Sequence, residues 1–235
     1  MFKKKDTTNL TFYTSGSKQK NDLFSPQEGM KLLPDWFRTI DRSQEDATLA
    51  TCPGFVDLFK NSINIPLWSD VSITYKNDQL INVQMPGIGQ ITRDFVQVHN
   101  SNQWGEGFKN SLHIKLMNPW HVTSNIDTPF LMHDAVWHKE NISDYNVLSG
   151  VIEFKYQHAN HINIMLPKSD NEKTVLLKAG TIIAYLTPLT NTKLSIESKL
   201  VPHEQWLGLT NYISSFKTPY AIAKKIGKKI IKWVM

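Results

Sequence analysis

The sequence predicts a mainly β protein: an antiparallel β-sandwich or jelly-roll-like barrel, with a short helical N-terminal flank and a C-terminal amphipathic helix. Three observations carry this expectation. Between about residues 53 and 200 of the 235-residue chain, short runs of apolar residues at alternate positions recur with turn residues between them. Such alternation puts one face of a strand against a core and the other in water. The runs succeed one another at roughly 8–15 residues, a spacing typical of sandwiches and barrels, and no strand–helix alternation or fixed-period repeat interrupts them.

Taken in order, residues 1–25 read as a basic N-terminal arm, mobile apart from a first strand at Thr11-Phe12-Tyr13-Thr14. Residues 26–50 read as a helical or turn flank. Ser25 is placed to cap a helix, Pro26 takes its first position and Gln27 and Glu28 follow. Leu33-Pro34 stops that helix, and Asp35-Trp36-Phe37-Arg38 starts a second short turn, with Trp36 and Phe37 expected as a lid over one end of the core. Thr51-Cys52-Pro53-Gly54 reads as a turn with a small buried thiol.

The β core is assigned to residues 51–200. Ile63–Trp68 and Val71–Tyr75 alternate, and Lys76–Gln79 turns the chain into Leu80–Met85, a hairpin pattern. Pro86-Gly87-Ile88-Gly89 reads as a further hairpin turn. Leu112–Leu116 alternates strictly and ends at Asn118-Pro119-Trp120. His121–Ser124, Phe130–Met132, Gly150–Phe154 and Ile162–Leu166 follow. Thr174–Leu177 and Thr181–Leu186 read as a pair joined by Lys178-Ala179-Gly180, and Leu194–Glu197 is the last strand. The expected core holds Ile65, Leu67, Val71, Ile73, Ile114, Leu116, Val151, Ile164, Ile182, Ala184 and Leu186, each contributing roughly 1.5–3 kcal/mol on burial.

Residues 201–235 form a C-terminal extension. A helical turn is expected around Trp206 and Leu207. Beyond it, Thr218-Pro219 supplies a cap and a first-turn proline, and Ile222, Ile226, Ile230 and Trp233 step by four, four and three residues along one helical face. Lys224, Lys225, Lys228, Lys229 and Lys232 gather on the other. These nine residues are the candidate interaction site. The apolar face has three possible seats: the protein's own core or a partner subunit, a membrane interface, or, through its lysines, nucleic acid.

Charge is concentrated at the ends. Residues 1–20 carry five lysines against Asp6 and residues 217–235 six lysines and no acid, whereas the stretch between them carries 20 acids against 15 bases. A nucleic-acid reading therefore applies to the tails and not to the body. With Cys52 the single cysteine, neither an intrachain disulfide nor a cysteine-based zinc site can form. No apolar run approaches the roughly 18–20 residues needed to span a bilayer, and Met1–Asp6 lacks the apolar segment of a secretory signal.

The histidine pairs His133/His138 and His158/His161 do not share a strand face at their spacings, so they are expected as polar loop residues; neither a cupin nor a non-haem iron spacing is present. No Gly-x-Ser-x-Gly elbow, Cys–His signature, Walker A or Gly-x-Gly-x-x-Gly occurs. No catalytic residue, metal ligand or cofactor is assigned. The alternative reading is a small-molecule-binding or metal-dependent enzyme with a pocket at the mouth of a cupin-like or similar barrel, with Glu153, His113, His121 and Trp120 as its candidate groups.

Two resemblances bear on these expectations. Leu148–Phe154, Ile162–Leu166 and Leu177–Leu189 resemble the β-clip of trimeric dUTPases. Glu153 stands where that family's uracil-site aspartate would be, and the Tyr-Arg-Gly, phosphate-binding and C-terminal glycine-rich segments are absent, so this implies a β-rich core without a dUTPase site. More widely, Leu33–Phe37, Cys52–Asp57, Ile65–Val71, Asn118–Trp120 and Leu148–Glu153 are similar to a group of uncharacterised virion proteins of tailed marine bacteriophages. That resemblance implies a non-enzymatic capsid, neck or tail component, made in the host cytoplasm and carried in the virion. It would bind other virion proteins, or further copies of itself in a symmetric assembly, with packaged DNA or a membrane as possible contacts of the basic tail.

Overall fold

The computed structural model describes residues 7–41, 43, 48–86, 95–99, 111–155 and 157–214, with backbone alone for Lys20 and residues 209–214. The fold is mainly β, built as several mostly antiparallel sheets in a sandwich-like arrangement that does not close into a barrel.

The first strand, β1 (Thr7–Thr14), starts four residues before the expected Thr11 and buries Thr8, Leu10, Phe12 and Thr14. Residues Lys18–Phe24 form a helix, α1, in what the composition suggested was a mobile arm. The expected helix start at Pro26 is replaced by a two-residue strand, β2 (Gln27–Glu28), on the edge of β3 (Ile63–Pro66). The reason is Gly29, whose backbone passes so close to another segment that a Cβ there would lie 2.2 Å from the Phe59 carbonyl oxygen. Its N–H donates to the Ser62 carbonyl at 2.8 Å. After Pro34 comes the expected short helix, α2 (Asp35–Thr39). A third helix, α3 (Pro53–Lys60), begins with proline at its first position where the sequence suggests a turn into strands. Cys52 precedes it and is exposed, not buried.

The hairpin of β4 (Val71–Lys76) and β5 (Gln79–Gln84) forms as expected, with Asn77 in the left-handed region at φ 54°. The remaining strands are β6 (Val96–Val98), β7 (Ser111–Leu116), β8 (His121–Ser124), β9 (Pro129–Asp134), β10 (Asn146–Val147), β11 (Gly150–Glu153), β12 (Ile162–Pro167), β13 (Lys173–Leu177), β14 (Ile182–Pro188) and β15 (Lys193–Leu200). Helix α4 (His203–Ser214) follows Pro202. No helix among the described residues is long and apolar enough to cross a membrane.

The sheet orders are β15-β1-β8, β10-β12-β7-β6, β11-β9-β14-β3-β2 and β13-β4-β5. β13 and β14, expected to pair with each other, belong to different sheets. Gly180, at φ +84°, turns the chain between them, after which β14 pairs with β3 and β9 while β13 pairs with β4. Among the described strands the one parallel pairing joins the first and the last: β1 runs beside β15 from Thr7 opposite Lys193 to Thr14 opposite Leu200.

All four sheets contribute to one apolar core containing Leu10, Phe12, Ile65, Ile73, Ile114, Val122, Phe130, Phe154 and Leu186. Of the eleven expected core residues, Val151 is the exception at 53% exposed: it sits on an edge strand whose inward-facing residue is Ile152. Ile182 is buried in a second cluster with Phe37, Phe59 and Tyr185, formed by α2, α3 and the turn Val136–His138. A bulge between Ile182 and Ala184 changes the β14 register, and the residues of this strand divide between the two clusters. Trp36 and Phe37 belong to this second cluster. Trp36 donates its indole N–H to the Trp137 carbonyl at 2.8 Å, and the Phe55 and Trp137 ring centres are 4.6 Å apart.

Candidate functional site: an uncharged aromatic cleft

Where β7 hands over to β8, the sequence Asn118-Pro119-Trp120 ends one strand and begins the next. Proline cannot continue a ladder, and the Asn118 side-chain oxygen accepts the Trp120 backbone N–H at 3.1 Å, tightening the turn. Helix α4 is tied to this turn: the Trp206 indole N–H donates to the Pro119 carbonyl at 3.1 Å. The start of α4 follows β15, and the Val201 N–H donates to the Thr14 carbonyl, so the parallel pairing of the chain ends brings α4 across the end of β1.

These elements enclose a cleft of about 530 Å³. Its walls come from the end of β1 with Ser15 and Gly16, from Asn21 of α1, from Trp68 after β3, and from Phe95 before β6. The turn from Met117 to His121, His161 before β12, and His203 and Trp206 of α4 complete them. Half of these residues carry aromatic rings, and no Asp, Glu, Lys or Arg is among the described residues that line it. Trp120 is 2% exposed and His121 3%, so the floor is fixed within the core, whereas His203 is at the surface. The His121 ring meets Trp206 edge-on at 4.7 Å between centres, and His203 stacks on Trp206 at 5.7 Å.

Two of the imidazoles that line the cleft are held neutral near pH 7. Burial holds the imidazoles of His121 and His161 down to about 4, from an ordinary value of 6.5. Nearby cationic and imidazole groups add to this: His158 acts on His121, while Lys115 and His121 act on His161. Beside the cleft, Nδ1 of His158 donates to the Val122 carbonyl at 2.9 Å, which fixes its tautomer. Several buried polar atoms on the cleft residues meet no partner: Nε1 of Trp68 and Trp120, Nδ2 of Asn118, and Nδ1 of His121 and His161. Each such atom costs about 1–3 kcal/mol while unsatisfied. These atoms have almost no surface of their own, so the cleft presents mainly aromatic and apolar surface to a ligand.

Of the candidate groups of the enzyme reading, Trp120 and His121 line this cleft and the other two do not. His113 is on β7, stacked on His99 at 4.4 Å and hydrogen-bonded to Asn163. Glu153 is on the edge strand β11. The other paired histidines are structural neighbours of the second cluster: His133, on β9 and not in a loop, meets Thr187 at 3.1 Å, and His138 packs edge-on against Phe59 and Tyr185. No group of three or more His, Cys, Asp or Glu side chains suited to a metal ion occurs among the described residues. The nine residues of the expected C-terminal interaction site, Ile222 to Trp233, lie outside the described residues, as do Gly87, Ile88 and Gly89.

The cleft as a whole is not legible as a motif. Trp120 and His121 stood out in the sequence, but Trp68, His161 and Trp206 come from segments far apart in the chain. The signals at hand were Asn118-Pro119-Trp120 at a strand end and the isolated Trp206 after Pro202. No protein-family model matches the chain, and no curated protein matches it either.

Proposed function

We propose that this protein is a non-enzymatic structural or accessory component of a tailed-phage particle. In this reading a rigid β body carries basic ends that hold neighbouring subunits. The observation that carries the proposal is where the segments of the phage-protein resemblance lie. Leu33–Phe37 and Cys52–Asp57 pack together in the aromatic cluster over β14. Ile65–Val71 and Asn118–Trp120 supply core and cleft floor, and Leu148–Glu153 supplies an edge strand. They support a body and a binding surface, and they do not bring a nucleophile, base and acid to one place. The lysine-only charge of residues 217–235 is complementary to the net acidity of residues 21–216, so a tail of one copy has an attractive surface on the next.

The test is sedimentation of particles from cells infected by a phage encoding the chain. The full-length protein is expected to migrate with intact particles, and a form lacking residues 217–235 to stay in the soluble fraction while keeping its β circular dichroism spectrum. Full-length protein that remains soluble would refute the virion role; a truncated form that still joins particles would refute the clamp.

A specific observation, the cleft itself, also favours the small-molecule-binding part of the alternative reading, and the two are compatible in one protein.

A further inference from the structure

The cleft at the β7–β8 turn has walls that suit other apolar side chains. Trp68, Phe95, Met117, Pro119, Trp120 and Trp206 line its space of about 530 Å³, and such surface is stabilised by contact with apolar groups that also leave water. Trp206 and its wall belong to the first turns of α4. The chain continues from the far end of this helix, Ser214, into residues 215–235, which lie outside the described residues and carry the apolar series Ile222, Ile226, Ile230 and Trp233. A series with this spacing is what an amphipathic helix lays into an apolar groove.

The length of chain between the two favours the cleft of the same copy. With Pro219 at the first position of a helix, residues 215–218 are the link to α4. Four extended residues span up to about 14 Å, more than the roughly 8–10 Å between packed helix axes, and links of this length join antiparallel helix pairs. Starting level with Ser214, such a helix runs back along α4. Trp206 lies about 12 Å back from Ser214 at about 1.5 Å per residue, a level that falls between Ile226 and Ile230. Ile230 lies as many residues after Pro219 as His203 lies before Ser214, so those two come level with each other.

We propose that residues 219–235 fold back as a helix and seat Ile226 and Ile230 in the cleft of the same copy, against Trp206. Lys224, Lys225, Lys228 and Lys232 stay on the outer face, in water and within reach of a neighbouring copy. The docking concerns the free copy and does not depend on the particle role. A small molecule entering the same cleft would have to displace the tail.

Two measurements on the full-length protein test this. In hydrogen exchange of the unmodified chain, amides of residues 222–233 are expected to exchange at least tenfold more slowly than those of an unstructured chain. For the second, Cys52→Ser removes the native thiol, and His203→Cys, at an exposed position, is paired with Ile230→Cys. Mild oxidation in dilute solution is expected to join the two within one chain, at least tenfold faster than when Lys228→Cys, on the opposite helical face, replaces Ile230→Cys. Adding Ile226→Asp is expected to slow the bond by tenfold or more at an unchanged melting temperature. If the cysteine variants fail to fold, the exchange measurement decides alone. Exchange at the unstructured rate, equal rates of bond formation from positions 228 and 230, a bond between two chains instead of within one, or a rate indifferent to Ile226→Asp would each overturn the proposal.

Discussion

Acidification is the perturbation whose cost follows most directly from this structure. His113 and His121 are each 3% exposed, and burial, reinforced by His99 and His158 respectively, holds both imidazoles down to about 4 from the 6.5 of a solvated histidine. Between those two values the unfolded chain binds protons that the folded chain refuses. Stability is therefore unaffected by these groups above about pH 6.5, falls as pH drops through the window, and levels off below about pH 4. That gap, at 1.36 kcal/mol per unit, gives on the order of 3 kcal/mol for each imidazole. Together they are comparable with the whole stability of a domain, about 5–15 kcal/mol. His138 and His161, half-buried and also held down to about 4, add in the same direction. The assay is urea unfolding followed by tryptophan fluorescence at half-unit intervals from about pH 7.5 to 4.5. His121→Gln, uncharged at every pH, is expected to reduce the slope of stability against pH by about 1.4 kcal/mol per unit in the middle of the window. A flat profile from pH 6.5 to 4.5, or slopes identical in wild type, His113→Gln and His121→Gln, would show that the buried imidazoles do not set the acid sensitivity.

Three further outcomes follow from individual contacts. Removing residues 1–14 takes β1 from between β15 and β8, and is expected to abolish the cooperative thermal transition; a dispensable arm would leave it unchanged. Gly29→Ala puts a methyl group 2.2 Å from the Phe59 carbonyl oxygen and is expected to cost about 1–3 kcal/mol in urea unfolding, whereas Gly150→Ala, with open space around its Cβ, is expected to cost much less. The Lys139 ammonium, with 1% of its side chain exposed, lies 2.6 Å from Asp134, donates to the Tyr145 carbonyl and sits 4.0 Å from the Tyr145 ring centre. Lys139→Ala is expected to lose about 3–5 kcal/mol, because it leaves a largely buried carboxylate unpaired, and Asp134→Asn with Lys139→Met to recover part of that loss in a double-mutant cycle.

The sequence expressed what is local. Strict alternation at Val71–Tyr75 and Leu112–Leu116 gave strands with the inward faces correctly assigned, because a half-buried strand writes its burial pattern with period two. At Gly150–Phe154 the same reading chose Val151 over Ile152, since both are apolar and only the pairing partner of an edge strand decides which faces in. The start at Thr7 was hidden because β1 is rich in threonine and asparagine and is held by β15, almost the whole chain away. Long-range parallel pairing leaves no short-range mark. Likewise Lys178-Ala179-Gly180 reads as a hairpin turn, yet the strands on either side pair elsewhere. Cysteine is usually buried, which suggests an inward Cys52; proline at the next position instead starts a helix there and leaves the thiol outside. The cleft needed the fold: His121 and Trp120 are neighbours in sequence, but Trp206 on α4 meets them through the joining of the chain ends, and His161 through the pairing of β12 with β7 and the bridge between His121 and Ala159.

The proposed role is that of a β-built body that holds partners in a particle. The most direct measurement is quantitative mass spectrometry of purified particles from a phage encoding the chain, with intact-cell lysates alongside. The protein is expected in the particles at a fixed copy number relative to the major shell protein, unchanged after high-salt washing and repeated banding. Abundance in lysates with none in the washed particles would contradict it.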